Sequence, residues 1–317
     1  MTDNRRTTAR RGLLLAGLAA LAWSASPLFI YYIARGHIDA HTQNAGRYLA
    51  GGLVLLVSSS ASAKGQEELA AILRAWPRLL PALFFLVAYQ TALVLGIDLV
   101  LPATASLVSR STVLWTLLLS ALFFPAERPH LQRPTFLLGT FLACLGVFGV
   151  VYFRSGTGSL AWGRGGFYVL GAAFLWSCYT AYGQRYLNNN GYAPRAFTGL
   201  LFFAGSLIFF LLALIDGHPE RLLWANPTVL LALFVSGVLC IGVAQVWYYR
   251  AMQLLGMAMA ANITLAIPFL TAIGSHFLFG DRMTALQWLA GFLLAVGLYL
   301  FSRPIPVPTA RKSGPPL

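Results

Sequence analysis

Charged side chains are scarce in this sequence, and acidic ones are the scarcest. Of 317 residues only 10% are charged, with nine Asp and Glu against 22 Lys and Arg. A soluble domain usually has about a quarter of its residues charged, because its surface must be solvated by water. With 58% of its residues hydrophobic, this chain has too few charged residues to form a surface that water solvates. The composition therefore predicts an integral membrane protein whose apolar surface faces lipid.

The few acidic residues avoid the centres of the apolar runs. All nine fall in predicted tails, links or helix ends, so the sequence predicts no carboxylate at the membrane midplane. Carriers that exchange a cationic drug for protons usually depend on such a carboxylate, because it binds cation and proton in turn. This absence argues against the export of cationic drugs.

Nothing in the sequence predicts a catalytic or metal centre. The three cysteines each lie inside an apolar run, where packing is expected rather than a disulfide or a metal site. His37, Asp39 and His41 alternate in a predicted link and are interpreted as a solvated loop, since they lack a metal-binding scaffold. No nucleophile with a base and no paired carboxylate is found, so we predict neither an enzyme nor a bound cofactor or metal. A membrane-embedded enzyme stays as the alternative from another class.

Ten apolar runs of about the length that spans a bilayer follow one another along the chain. A hydrocarbon core about 30 Å thick requires roughly 20 helical residues. The predicted helices cover residues 13–33, 46–63, 79–97, 102–124, 135–153, 166–184, 197–215, 228–248, 256–279 and 285–302. The second run is the weakest, because it opens with Arg47 and closes in three serines, so a nine-helix count stays an alternative. The predicted fold class is an all-α integral membrane protein with ten transmembrane helices.

Basic residues are divided among the links between these runs, which argues against a nucleic-acid partner despite the net charge of +13. With the N-terminus in the cytoplasm, 15 Lys and Arg lie inside and six outside, while Arg110 falls within a helix. The positive-inside rule therefore predicts cytoplasmic tails at both ends, 1–12 and 304–317, both disordered. A cleaved signal peptide beginning at Arg10 and Arg11 is the rejected alternative, because the internal repeat would lose its first member.

Two halves of the sequence repeat each other about 150 residues apart. The segment Ala19–Ser24 (AALAWS) reappears as Ala172–Ser177 (AAFLWS), and Phe124–Arg128 (FPAER) is echoed by Phe279–Arg282 (FGDR). Five helices per half is an odd number, so the second half is predicted to begin on the opposite side of the membrane. The predicted units are two inverted five-helix repeats, 13–154 and 163–303, an architecture that secondary transporters use around a midplane site.

The repeated Trp-Ser helix and the paired acidic-Arg links resemble the EamA-type carriers of the drug/metabolite transporter superfamily. The resemblance covers nearly the whole chain, although Asp281 stands where the family usually has Glu. It implies a ten-helix basket with a central cavity, alternating access, and export of amino acids or related metabolites. It also implies a multi-pass protein of the bacterial inner membrane.

Arg110 is the most informative single position. It lies about eight residues beyond Pro102, or roughly 12 Å into the fourth predicted helix at 1.5 Å per residue. An intramembrane charge is costly and is by default a functional candidate. We predict that Arg110 lines the substrate cavity and binds a carboxylate through its planar fork. A structural ion pair with Asp98 stays the alternative.

Aromatic and amide side chains complete the predicted substrate-binding site. Trp23 and Trp176 occupy equivalent positions in the two repeats, deeper than the interfacial aromatic belt, and are predicted to form cavity walls. Packing or lipid contact is the equal alternative for both. The remaining candidates are polar groups inside apolar runs, which either orient substrate or bond neighbouring helices: Tyr89, Gln90, Tyr179, Gln245 and Asn262.

These observations together predict a secondary transporter of small metabolites. Export of amino acids or related zwitterionic and anionic compounds is the leading function, and exchange of nucleotide sugars or organic phosphates is the alternative. The alternative requires two or more cationic groups in the cavity, whereas Arg110 is the deep one in the sequence. The predicted partners are a small-molecule substrate and the lipid bilayer, and the protein is predicted to be a monomer or a weak homodimer.

Overall fold

The computed structural model describes residues 2–97, 99, 105, 108–153, 163–279 and 283–301. Every regular element within these ranges is a helix, which confirms the all-α prediction. The first half of the described chain contains seven α-helices whose bounds are defined, and the 3-10 turns Trp76–Leu79 and Pro125–Glu127. The α-helices are α1 (Thr2–Arg35), α2 (Ala40–Ser60), α3 (Ala63–Arg74), α4 (Leu80–Ile97), α5 (Thr112–Phe123), α6 (Arg128–Leu131) and α7 (Pro134–Tyr152).

Residues 163–279 and 283–301 form seven further α-helices, a π-helix and two 3-10 turns. The α-helices are α8 (Gly163–Asn190), α9 (Pro194–Asp216), α10 (Pro227–Ser236), α11 (Ala244–Leu255), α12 (Met257–Ile263), α13 (Ile267–Phe279) and α14 (Ala285–Phe301). The π-helix Gly237–Val243 joins α10 to α11. The 3-10 turns are Pro219–Trp224 and Thr264–Ala266.

Within the described ranges six helical segments are long and apolar enough to cross a membrane, so the chain is a multi-pass membrane protein. They are Thr7–Arg35, Trp76–Ile97, Pro134–Tyr152, Pro194–Asp216, Pro227–Leu255 and Met257–Leu278. Helices α5 and α14 are apolar but shorter, while α2 and α8 have 21 and 28 residues and are more polar. Each of these segments overlaps one of the predicted apolar runs, and six of them meet the length and hydropathy expected of a membrane span. Residues 101–104, 106 and 107, at the start of the predicted fourth helix, lie outside the described ranges.

Two features at the polar ends of the bundle differ from the predictions. Helix α1 already begins at Thr2, so the prediction of a disordered N-terminal tail is wrong. The segment 2–11 contains no Gly or Pro, and nothing in it breaks a helix that starts in the membrane. The predicted C-terminal tail, 304–317, lies outside the described residues.

Helix α3 was not among the predicted elements. It buries Gly65, Glu68 and Ile72 on one side, whereas Leu73 on the helix and Trp76 in the 3-10 turn that follows it remain exposed. The Ser62 hydroxyl caps its N-terminus by accepting the Gly65 N–H at 3.2 Å. An amphipathic helix between two spanning helices fits the membrane interface, and a search for long apolar runs does not detect it.

Contacts between helices follow the two-repeat pattern of the sequence. Helix α2 packs on α9 and α7 packs on α14, and each pair joins equivalent helices of the two halves. Helix α1 contacts α11, and α4 contacts α8. These two contacts are equivalent, because α1 in the first half corresponds to α8 in the second, and α4 corresponds to α11. The tertiary structure therefore repeats as the sequence does, with most helix pairs joining one half to the other.

Helices α7 and α14 approach each other through small residues. A Cβ atom built on Gly146 would lie 2.5 Å from the Leu294 nitrogen, and one built on Gly297 would lie 2.5 Å from the Ala143 nitrogen. Real Cβ atoms do not come so close to backbone, so only glycine allows this packing. In membranes such close contact supplies much of the attraction between helices, since lipid provides no hydrophobic drive.

Asp39 ties the start of α2 to the link after α9. Its carboxylate accepts the Thr42 N–H at 2.9 Å and the Thr42 hydroxyl at 2.8 Å. It also accepts the His218 N–H at 2.9 Å. Burial alone raises the pKa of Asp39, but these hydrogen bonds outweigh it and the pKa lies below its ordinary value. The predicted solvated loop is therefore an ordered cap.

Replacing Asp39 by alanine is expected to lower stability by about 1 kcal/mol at neutral pH, because an N-cap is lost. A lowered folded-state pKa means that the carboxylate stabilises the protein above pH ~4 and that the contribution disappears as the pH falls through the folded pKa. The apparent Tm difference between wild type and Asp39→Ala in detergent should thus shrink between pH 5 and pH 3. Asp39→Asn, which caps but does not titrate, is the control. A difference that is independent of pH would contradict this assignment.

Candidate functional site

A cavity of about 260 Å³ lies between the two halves of the protein. Its wall includes residues from the last part of α1, the first part of α2 and the last part of α4, together with α8 and the π-helix. Because α1 ends against the start of α10, where Gly36 meets Val229, the cavity is closer to this end of the bundle. We call it the α1–α2 end.

Arg110 lines this cavity, in a turn immediately before α5. Its Nη2 donates to the Ser109 hydroxyl at 3.4 Å. Its Nε is buried and forms no hydrogen bond with any residue in the described ranges. Asp98, the alternative partner, lies outside those ranges. A guanidinium with an unused N–H in a cavity wall is suited to binding an anion.

Aromatic rings from both repeats form one continuous wall. Trp23 and Trp176 both line the cavity and pack edge to face, with ring centroids 5.7 Å apart. Tyr89 packs on Trp176 at 4.9 Å, and Tyr248 packs on Trp23 at 5.0 Å. These edge-to-face contacts fix the rings, so the wall is a preformed apolar surface.

Two of the predicted amides also line the cavity. Gln90 donates from Nε2 to the Asn44 Oδ1 at 3.0 Å, which links α4 to α2. Gln245 follows the π-helix and is 2% exposed. The amides provide both donors and acceptors at the wall.

Tyr179 and Asn262 are not among the residues that line the cavity. Tyr179 is fully buried behind the wall, with its ring 5.4 Å from Trp176 and 6.2 Å from Tyr249. Asn262 is also fully buried, and its Nδ2 donates to the Thr140 hydroxyl at 2.7 Å. Direct contact of these two side chains with a substrate in this cavity is therefore not supported. Asn262 joins α12 to α7, as an amide in lipid must find a partner.

Arg47 also lines the cavity, although its position at the start of the second apolar run predicted a place at the membrane surface. It lines the cavity and is 2% exposed. The signal for its depth is Asp39, a typical N-cap residue that moves the start of α2 upstream of the apolar run. Arg47 then lies two turns inside the helix, so it cannot flank the membrane.

Glycines bring α2 close enough to the π-helix to position Arg47. A Cβ on Gly51 would lie 2.6 Å from the Gly237 carbonyl oxygen, and a Cβ on Gly237 would overlap the Arg47 carbonyl oxygen. This close approach brings the Arg47 Nε within 3.1 Å of the Ser236 hydroxyl. Single-turn π segments inside α-helices often occur at functional sites.

The opposite end of the bundle is closed by Glu127. Its carboxylate accepts the N–H groups of Met257 at 2.7 Å and Ala258 at 2.9 Å, and the Ser120 hydroxyl at 2.6 Å. It thereby caps the first turn of α12, after Gly256 has turned the chain with φ of 90°. Two backbone donors at a helix N-terminus are satisfied by one anion, which joins the first half to the second.

Within the part of the chain that the structure describes, the residues that line the cavity include two arginines and neither Asp nor Glu. Among the described residues no group of three or more His, Cys, Asp or Glu is arranged to hold a metal ion. A mainly apolar cavity that contains two arginines and is enclosed by helices from two repeats is typical of a membrane transporter.

The chain belongs to the EamA-like transporter family, part of the drug/metabolite transporter superfamily. The family's sequence profile matches residues 10–152 and 163–303. An uncharacterized transporter of Archaeoglobus fulgidus is 27% identical over 128 residues, which cover 40% of this chain and 43% of that protein. The matched part thus spans less than half of the archaeal relative. A crystal structure described only as that of a protein superimposes with a TM-score of 0.77 at 20% identity, covering 91% of this chain and 95% of the other. That likeness concerns the fold.

Proposed function

We propose that this protein exports amino acids or related zwitterionic and anionic metabolites by alternating access. In this proposal it has ten membrane-spanning helices in two inverted repeats, works in a bacterial inner membrane with both termini in the cytoplasm, and acts as a monomer or a weak homodimer. The observation that carries the proposal is Arg110, a cation in the wall of a cavity whose described lining residues include no Asp or Glu.

The chemistry of the wall supports an anionic group on the substrate. A carboxylate accepts two parallel hydrogen bonds from a guanidinium, and this geometry is stronger and more specific than a single bond. The Arg110 Nε is buried and without a partner among the described residues. Leaving such a donor unsatisfied costs free energy, so an incoming carboxylate both neutralises the charge and satisfies the donor.

The aromatic wall supports a small organic body on the substrate. Trp23, Tyr89 and Trp176 present ring surface next to the cationic group, and Gln90 and Gln245 supply polar contacts that orient a ligand. Binding sites of small molecules commonly combine an apolar wall with a few placed polar groups.

Alternating access is supported by the difference between the two ends of the bundle. The cavity lies toward the α1–α2 end, while Glu127 ties the halves together at the other end. In carriers built from inverted repeats, exchanging the conformations of the halves moves the opening from one side to the other. In the proposed orientation, with both termini cytoplasmic, the α1–α2 end and its cavity face outward.

Replacing Arg110 by glutamine is expected to lower saturable flux of the transported amino acid about 10- to 100-fold, because a charge-assisted bond worth about 1.5–3 kcal/mol is lost. The measurement is counterflow in proteoliposomes with radiolabelled amino acids, organic phosphates and cationic dyes. Arg35→Gln is the matched control, since Arg35 is exposed at the end of α1 and does not line the cavity. Flux of a cationic dye that is indifferent to Arg110 would refute the proposal.

A further inference from the structure

Arg47 is almost fully buried, yet its guanidinium is only partly used by the protein. Its Nε donates to the Ser236 hydroxyl at 3.1 Å and its Nη2 donates to the Ser26 hydroxyl at 2.5 Å. Its Nη1 forms no hydrogen bond with any residue in the described part of the chain. A guanidinium has five N–H donors, so several remain available on the cavity side.

The partners of Arg47 orient it without neutralising it. Both are serine hydroxyls, and no ion pair involves Arg47 or Arg110 among the described residues. A buried cation without a counter-ion is unfavourable in a membrane protein unless water or an anion reaches it. Serines from α1 and α10 hold the charge in place at the wall, which is the arrangement of a positioned binding group.

Arg47, on α2, and Arg110, in the turn before α5, line the same cavity. Two cations in one cavity, with no Asp or Glu among its described lining residues, attract a ligand with two negative charges more strongly than a ligand with one. A zwitterionic amino acid fits less well, because its ammonium group would meet two positive charges and no carboxylate among the described lining residues.

We infer that Arg47 is a second substrate-binding residue and that the preferred cargo carries two negative charges, as a dicarboxylate or a phosphate monoester does. This inference rests on the proposed transport function and narrows its substrate class from zwitterionic and anionic metabolites to dianions. Arg110 binds one part of the charge and Arg47 the other, while the aromatic wall contacts the carbon skeleton.

The test compares four labelled substrates in counterflow: succinate and glycerol 3-phosphate as dianions, lactate as a monoanion, and alanine as a zwitterion. Wild type should take up at least one dianion ten times faster than lactate or alanine. Arg47→Gln should reduce the ratio of dianion to lactate flux about tenfold. Because the ratio is measured on one preparation, partial misfolding of the variant does not alter it.

Two further variants separate charge from structure. Arg47→Lys keeps the charge and should retain most of the dianion preference, although it loses the fork geometry. Arg35→Gln removes a charge outside the cavity and should leave the ratio unchanged. The two dianions distinguish carboxylate from phosphate cargo.

Three outcomes would overturn the inference. Equal loss of dianion and lactate flux in Arg47→Gln would mean that Arg47 only supports the fold. Faster flux of alanine or lactate in wild type would reject the dianion class while leaving the proposed transport function intact. Saturable flux of none of the four substrates would count against both.

Discussion

Replacing Glu127 by alanine is expected to lower stability by about 2–4 kcal/mol, because three hydrogen bonds to a charged acceptor are lost at a partly buried position. The Met257 and Ala258 N–H groups and the Ser120 hydroxyl would lose their shared acceptor. The apparent Tm should fall by about 5 °C or more for a protein of this size. The measurement is thermal unfolding of the detergent-solubilised protein, followed by tryptophan fluorescence.

Two variants control for charge and shape. Glu67→Ala removes an exposed acidic residue on α3, and its Tm should stay near that of wild type. Glu127→Gln keeps an acceptor of the same size without the negative charge, so its loss should be intermediate. A Tm for Glu127→Ala equal to that of Glu67→Ala would mean that the cap contributes nothing.

The Glu127 cap also bears on transport, because opening the end of the bundle that it closes requires the α5–α12 contact to separate. Because Glu127 joins the helices at this end, its loss should favour the conformation in which this end is open and the α1–α2 end is closed. Access of a membrane-impermeant thiol reagent to cysteines introduced at the α1–α2 end should then fall in Glu127→Ala relative to Glu67→Ala. If the access is unchanged, Glu127 stabilises the fold but does not influence which end of the bundle is open.

Replacing Gly146 by alanine is expected to cost about 2–3 kcal/mol, since a single added methyl group forces α7 away from α14. Its Cβ would lie 2.5 Å from the Leu294 nitrogen and 2.8 Å from the Ala290 carbonyl oxygen. Backbone atoms cannot rotate away as a side chain can, so the two helices must separate. Thermal unfolding in detergent and the yield of monodisperse protein measure the effect.

Gly171→Ala is the matched control for that substitution. Gly171 also lies within a helix, α8, but a Cβ there meets no atom within 4 Å. The same chemical change should therefore be neutral or stabilise by up to about 1 kcal/mol through helix propensity. A similar loss at both positions would show that close packing at Gly146 is not the cause.

Patterns that are local in sequence predicted much of this protein. Long apolar runs predicted the spanning segments, because a bilayer imposes their length and composition. Helix α3 escaped the same search, since its polar face lowers the mean hydropathy of the run. Residues 2–11 were interpreted as a tail because they are polar, although polar residues without Gly or Pro continue a helix readily.

The sequence predicted only part of the candidate site. Repeat equivalence singled out Trp23 and Trp176, and a charge inside an apolar run singled out Arg110; all three line the cavity. In a helix that is apolar on all sides, the sequence does not indicate which side faces the cavity. Asn262 was therefore grouped with the cavity residues, although its side chain donates to Thr140. Arg47 was missed because its charge was interpreted as marking a helix end.

The sequence by itself determined the class of the protein: a membrane-embedded, all-helical chain made of two related halves. These properties follow from composition and from motifs that recur at a fixed distance, and they do not depend on which helices meet. Tertiary structure alone decided which polar groups share the cavity. Arg47 and Ser236 are separated by 189 positions in the chain, and they meet because glycines let α2 and the π-helix approach closely. A charge becomes part of a binding site only through such packing, since its solvent and its partners are set by residues that are distant in sequence.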